Sequence, residues 1–213
     1  MYKIILWDID GVIIRHKSYF SEKLIIDGYN DPINILNEFR TTKLNELCDK
    51  GELDPLIAIK PFLKRIGWEY TCEEYFNAQY EYEDKYIDDK LLMKISHLRE
   101  SGIRNYIATN QNYYRMNHLR KRLNVNSNFD GLFVSNKLNA VKKEDEYWRK
   151  ILEEISNENK YIELKNIIFV DDMKENVKKA NENGIPGIVI INEYDIGNIL
   201  QKIEEKFLTT AST

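Results

Sequence analysis

The chain has 213 residues, 43% of them hydrophobic and 31% charged, at a formal net charge of −4. That is enough apolar material for one domain, or for a core with a smaller inserted domain. The mild acidity gives no electrostatic footprint for nucleic acid, and no apolar run approaches the roughly 20 residues of a membrane span. A strand pattern begins almost at the N-terminus, so no signal peptide is expected. Cys48 and Cys72 lack metal or redox spacing, and free thiols in a reducing cytoplasm are expected.

Lys3–Trp7 reads as a buried strand, and Asp8-Ile9-Asp10-Gly11-Val12 follows it at once. Open α/β sheets bind ligands beyond the carboxyl ends of their strands. Two acids placed there repel each other unless a cation or a shared proton intervenes. The pair therefore suggests a metal site, or a nucleophile beside a general acid. Aspartate after a strand is also ordinary turn chemistry.

Between residues 16 and 88 the strand rhythm stops. Asp31-Pro32 and Asp54-Pro55 each read as an N-cap followed by a first-turn proline. Pro61 falls inside the second of these helices, where it should kink the axis. Thr71–Tyr86 is a further helix, rich in tyrosine. A helical insert that leaves from a strand end bearing two acids is a candidate lid. Arg15 and His16 at its entrance, and the turn Asp49-Lys50-Gly51-Glu52 within it, could face a substrate. Solvated turn residues are the plainer reading. Tyr75, Tyr80, Tyr82 and Tyr86 read as a face packing inside the insert. His97 and His118 read as structural or exposed.

Beyond the insert, strand-like runs at Ile103–Ala108, Gly131–Val134, Ile167–Val170 and Gly187–Ile191 alternate with helical patterns. Those patterns cover Leu91–Glu100, Tyr113–Leu123, Lys143–Ile155 and Lys174–Asn183. Such alternation implies a parallel sheet with right-handed crossovers. Gly102 and Gly184 fit helix C-termini, and the tail Thr209–Thr213 is expected to be disordered. Thr109-Asn110 ends one strand and can donate to a phosphate oxygen, or simply cap a helix. Asp171-Asp172 ends another. Two strands that end in paired carboxylates fit one oxygen-rich site suited to Mg²⁺. In Ala140-Val141-Lys142-Lys143, a lysine ahead of a helix is ordinarily solvated. Beside gathered acids it would offset charge and hold a phosphoryl group.

With these groups in this order, the chain resembles the haloacid dehalogenase-like hydrolase superfamily, mainly its phosphatases. Asp8-Ile9-Asp10-Gly11-Val12 matches the first motif and Thr109-Asn110 the second. Phe169-Val170-Asp171-Asp172 followed by Asn176 matches the fourth. Lys142 best matches the third, because Tyr147, Trp148, Ile151 and Leu152 then fall where that family's helix is apolar. Lys143 is adjacent, and the family's usual proline is absent. The resemblance spans essentially the whole chain. It implies a Rossmann-like parallel five-stranded core sheet flanked by helices over residues 1–15 and 89–213, with a helical cap of the C1 type over 16–88. Cap position and shape look like the small bacterial sugar-phosphate phosphatases and the phosphatase domain of bifunctional epoxide hydrolases.

The resemblance also implies roles. Asp8 becomes the nucleophile and forms an aspartyl-phosphate. Asp10 becomes the general acid, then the base, with its carboxyl lifted toward working pH. Mg²⁺ is held by Asp8, the backbone carbonyl of Asp10 and Asp172, while Asp171 orients a water on the metal or Lys142. Asn176 supports the acids from behind. Thr109, the Asn110 amide and Lys142 hold the phosphoryl oxygens. The expected activity is Mg²⁺-dependent hydrolysis of a small phosphorylated metabolite, in the cytoplasm, by a monomer or homodimer. A phosphoglucomutase-like transferase would reuse the same site. A dehalogenase needs the first aspartate but no metal, and lacks the second acid. A phospho-aspartate receiver module would be shorter and would lack the helical insert.

Overall fold

Ile4 and Leu6 point to one face of a strand and Ile5 and Trp7 to the other, and all four are buried because both faces are covered. In the computed structural model, which describes residues 3–158, 160–190, 197 and 201, this strand is β1 (Lys3–Trp7). It joins β2 (Ile103–Thr109), β3 (Gly131–Val134), β4 (Ile167–Asp171) and β5 (Gly187–Val189). Among the described residues these form a five-stranded sheet, all parallel, in the order β3-β2-β1-β4-β5. The chain builds outward from β1 through β2 and β3, then crosses back to β4 and β5. Strand order therefore reverses between β1 and β4, where open α/β sheets place their ligands.

Six helices separate β1 from β2: α1 (Phe20–Ile26), α2 (Pro32–Thr41), α3 (Lys43–Asp49), α4 (Pro55–Ile66), α5 (Cys72–Asp84) and α6 (Asp89–Glu100). Then follow α7 (Tyr113–Arg122) and the short α8 (Val125–Asn128) before β3, and the short α9 (Ser135–Leu138) and α10 (Asp145–Glu158) before β4. A further helix, α11 (Lys174–Glu182), precedes β5. One apolar cluster joins Ile5, Trp7, Ile107 and Val170 to α6 and α7. A second joins Ile4, Leu6, Phe133 and Phe169 to α10 and α11 on the opposite face. Gly102 and Gly184 sit at φ of +87° and +81° just past α6 and α11, as expected of helix ends.

Helices α1–α5 have an apolar cluster of their own, with Phe20, Leu36, Phe39, Ile59, Tyr75 and Tyr80 inside it. Tyr82 packs against that cluster, whereas Tyr86 packs against the cluster under the sheet. Asp54 caps α4 as expected, accepting from the Leu56 N–H at 2.8 Å. Asp31 does not cap α2 through its side chain; it adopts a left-handed φ of 43° and accepts from Asn34 Nδ2 instead. Pro61 lies inside α4, which remains one α-helix from Pro55 to Ile66.

Some boundaries differ from the periodic reading. Thr71 and Glu74 form a capping box at the start of α5. That helix stops at Asp84 because Tyr86 is drawn into backbone pairing with the chain leaving the sheet: Arg15 N–H donates to Tyr86 O at 3.0 Å and Asp88 N–H to Ile13 O at 2.8 Å. The two crossings between sheet and helical insert thus lie side by side. Helix α10 begins at Asp145 rather than Lys143, because Val141–Glu144 closes as a turn in which the Val141 N–H donates to Glu144 Oε2 at 3.0 Å. Ile191 and Thr209–Thr213 lie outside the described residues. Among the described residues, no helix is long and apolar enough to cross a membrane.

Candidate active site

Asp8 directly follows β1, Thr109 ends β2 and Asp171 ends β4, and the sheet register brings all three buried residues to one edge. Lys142 reaches the same point from the turn ahead of α10. Its Nζ lies 2.6 Å from Asp8 Oδ1 and 2.7 Å from Asp171 Oδ2, and its side chain is 2% exposed. Packing aims this lysine. Tyr147, Trp148 and Ile151 dock α10 on the sheet. The Trp148 indole donates to the Lys142 carbonyl at 2.7 Å, and the Lys142 N–H donates to Asn110 Oδ1 at 3.0 Å. The side-chain oxygen of Asn110 therefore brackets the lysine backbone. Lys143 turns outward, with its side chain 65% exposed and paired with Glu46.

Asp8, Asp171 and Asp172 each offer one oxygen within 4.8 Å of the others. They are not equivalent. Asp171 is saturated: Oδ1 accepts from the Met173 N–H at 2.7 Å, Oδ2 from Lys142 at 2.7 Å, and both from Asn176 Nδ2 at 3.1 Å. Asn176 is thus placed against Asp171. Asp172 is exposed to the open side. Hard oxygens with a free face suit a divalent cation. Gly11 lets the first loop approach them: its φ is +81°, and an added Cβ would lie 2.1 Å from Asp172 Oδ2. Burial, the largest influence, pushes the Asp8 carboxyl up; Lys142 opposes this, and Asp171 and Asp10 add to it. Burial and Asp171 likewise raise Asp172.

Asp10 corrects the sequence reading. Recession into the protein raises its carboxyl, but His16, Arg115 and Gln111 together outweigh this and hold it well below the usual range. His16 Nε2 lies 3.3 Å from Oδ1, Arg115 Nη2 lies 3.5 Å from Oδ1, and Gln111 Nε2 donates to Oδ2 at 2.5 Å. The carboxyl expected to be lifted toward working pH is instead pushed down, toward its ionised form. Of the entrance residues, His16 faces the site, whereas the Arg15 guanidinium is taken by Asp88. Glu52 lies 3.6 Å from Lys50, which also pairs with Glu144 at 3.0 Å. Asp49 turns inward, its carboxyl pushed up to about 7 by burial and by the nearby Asp10 and Glu46.

Gln111, Arg115 and Glu83 were not among the expected site residues. Arg115 and Glu83 left a signal. Arg115 shares the buried face of α7 with Met116 and Leu119, and Glu83 shares that of α5 with Phe76 and Tyr80. Charges in an apolar phase ask for a buried partner. Gln111, a turn residue, left none. His118, expected to be structural or exposed, joins Arg122 in gripping Asp84 of α5, at 2.9 and 2.6 Å.

Above these groups lies a cavity of about 1050 Å³. Asp8, Asp10, Thr109, Lys142 and Asp172 line its floor, and Tyr19, Arg40, Asp49, Tyr75, Tyr80 and Glu83 line the insert side. The floor combines a buried carboxylate, a second carboxylate two residues on, a lysine, a hydroxyl and a cation-sized gap between acids. That set can transfer an anionic group to a carboxylate and move a proton beside it.

Comparison with known proteins bears on the fold and the family. No curated protein sequence matches the chain. A HAD family enzyme from Bacteroides thetaiotaomicron, solved in complex with magnesium and inorganic phosphate, superposes with a TM-score of 0.73 at 20% identity, covering 93% of this chain and 99% of that one. A predicted HAD-like family hydrolase from Porphyromonas gingivalis gives 0.70 at 19% identity, over 95% and 98% of the two chains. The L-2-haloacid dehalogenase from Xanthobacter autotrophicus, with chloropropionic acid covalently bound, gives 0.62 at 14% identity, over 95% and 83%. At these identities the likeness is one of fold. The sequence model of haloacid dehalogenase-like hydrolases matches residues 2–184, most of the chain, and this protein belongs to that family of hydrolases.

Proposed function

We propose that this protein is a Mg²⁺-dependent phosphomonoesterase that hydrolyses a small phosphorylated metabolite through an aspartyl-phosphate on Asp8. The observation that carries this reading is Asp10, which opens onto the same cavity as Asp8 and whose carboxylate holds three polar contacts, one each with His16, Gln111 and Arg115. Carbon–halogen cleavage releases a halide and leaves no oxygen for such a group to protonate. Hydrolysis of a phosphate ester does.

Asp8 attacks phosphorus in line, and the phosphorus–oxygen ester bond breaks as the new one forms. Asp10 gives its proton to the departing oxygen. It then takes a proton from the water that attacks the aspartyl-phosphate, which releases phosphate and restores Asp8. Without substrate Asp10 is held in its ionised form; an arriving phosphate dianion raises its carboxyl by like-charge repulsion, so that it takes up from solvent the proton it then donates. Lys142 and Thr109, with the turn at Asn110, hold the phosphoryl oxygens. Asp8, Asp172 and the Asp10 backbone carbonyl would hold Mg²⁺, whose charge offsets the repulsion between carboxylate and phosphate. Residues 16–88 serve as a cap of the C1 type over a core of 1–15 and 89–213, a division supported by the separate apolar cluster of the insert.

The test is turnover of p-nitrophenyl phosphate and of a panel of phosphorylated metabolites, with Mg²⁺ or with EDTA. Turnover should need Mg²⁺, and Asp8→Asn, nearly isosteric, should fold. A folded Asp8→Asn protein that keeps more than about a hundredth of wild-type turnover rules out the covalent route.

A further inference from the structure

Two charged side chains on otherwise apolar helix faces meet above Asp10. Glu83 of α5 and Arg115 of α7 have side chains 6% and 5% exposed, and Arg115 Nη1 lies 2.8 Å from Glu83 Oε2. The approach is close without being aligned as a hydrogen bond. The other arm of the same guanidinium, Nη2, lies 3.5 Å from Asp10 Oδ1. The fork is fixed from several sides. Gln79 Nε2 donates to Glu83 Oε1 at 2.8 Å, the guanidinium lies 5.0 Å from the centre of the Tyr80 ring, and Asn112 Oδ1 accepts the Arg115 backbone N–H at 3.0 Å.

Packing does not explain this pair. A buried ion pair is often no more stabilising than apolar side chains of the same volume. Nor do the two helices need it for docking, because Asp84 already joins α5 to α7 through His118 and Arg122. What distinguishes Arg115 from that second clamp is its free arm. A guanidinium is a rigid planar fork that can hold two carboxylates at a set angle. One of them belongs to the insert and the other is the proposed proton donor.

We propose that Arg115 is a positioning residue for Asp10: gripped by Glu83 of the insert, it sets the angle at which the Asp10 carboxyl meets the leaving-group oxygen. Proton transfer then depends on the insert being seated. This rests on the phosphatase reading above. Hydrogen bonds that are long in an empty site commonly tighten in the reacting complex.

The experiment compares kcat/KM for p-nitrophenyl phosphate, whose leaving group departs without protonation, and for phenyl phosphate, whose leaving group needs it. This quantity covers the steps up to departure of the phenol, so later use of Asp10 as a base does not enter. Arg115→Met strands a buried glutamate, so Arg115→Met/Glu83→Gln is measured beside it, and Asp84→Asn loosens the same helices without touching Asp10. Both Arg115 variants should lose roughly tenfold or more on phenyl phosphate and stay within about threefold on p-nitrophenyl phosphate. Asp84→Asn should change both esters alike. If the Arg115 variants also lower both by one factor, Arg115 only holds the helices together and the inference fails. If the wild-type protein with Mg²⁺ hydrolyses neither ester, the phosphatase reading itself fails and takes the inference with it.

Discussion

Replacing Lys142 with alanine removes the cation that lies between Asp8 and Asp171, at 2.6 and 2.7 Å. At an effective dielectric of about 20, each contact corresponds to roughly 6 kcal/mol of gross attraction. Desolvation cancels much of this, and removing one member of a buried pair ordinarily costs about 3–5 kcal/mol net. The loss in rate is separate. A missing donor to the charge that develops in the transition state costs about 10²–10³ in kcat. Lys143 is the control: it is exposed, and a surface pair such as the one with Glu46 is worth about 0–1 kcal/mol. Urea unfolding and steady-state turnover of p-nitrophenyl phosphate with Mg²⁺ should therefore separate Lys142→Ala from Lys143→Ala on both axes. The unfolding loss should shrink in acid, as the stranded Asp8, whose carboxyl burial already raises, takes up a proton. Equal losses of turnover in the two variants, or a Lys142→Ala enzyme close to wild type, would refute the reasoning.

Asp10→Asn should lose about 10²–10⁴-fold in turnover while still binding Mg²⁺, since its proposed metal contact is the backbone carbonyl; a folded variant that binds no Mg²⁺ in calorimetry makes the side chain a ligand instead. Gly11→Ala should cost about 1–2 kcal/mol for its left-handed backbone and should weaken Mg²⁺ binding further, because the new methyl displaces Asp172; unchanged metal affinity would contradict the close approach. Stability of the metal-free protein should fall as pH rises from about 5 to about 8, measured as the urea midpoint. Asp8, Asp49 and Asp172 have carboxyls raised above the unfolded value of about 4, Asp49 to about 7, so the folded state holds more protons and loses that advantage across this window. Asp10 acts in the opposite sense, contributing stability above about 4 that is lost only in stronger acid. A midpoint that climbs toward alkaline pH would be inconsistent with these directions.

The sheet was readable because strands buried on both faces appear as unbroken apolar runs, as in Ile4–Trp7 and Ile167–Val170. Its acids were readable because they follow those runs directly. Lys142 rather than Lys143 lies beside the acids, in the phase set by Tyr147 and Trp148, and Trp148 donates to the Lys142 carbonyl. Limits came where side chains compete with the backbone. The Glu144 side chain closes the turn that delays α10, and Asp31 binds Asn34 instead of capping α2. Neither leaves a periodic trace. The surroundings of Asp10 were least visible. Gln111 and Arg115 stand 101 and 105 residues from it in the chain, so the expected upward shift, argued from burial beside other carboxylates, missed the donors that reverse it.

The central place of β1 bears on how the chain reaches this structure. Ile4 lies between Arg104 and Ile167 in the sheet, so the strand emerges from the ribosome long before either neighbour exists. Until then both its edges are open, a condition that invites pairing with other chains. The helices between Phe20 and Asp84 are different, since their contacts are mostly with one another and close short loops. Non-local parallel pairing is the slow event in such topologies. Contact locality thus favours collapse of the insert ahead of the sheet, and leaves the edge that carries Asp8, Thr109 and Asp171 dependent on pairings between strands far apart in the chain.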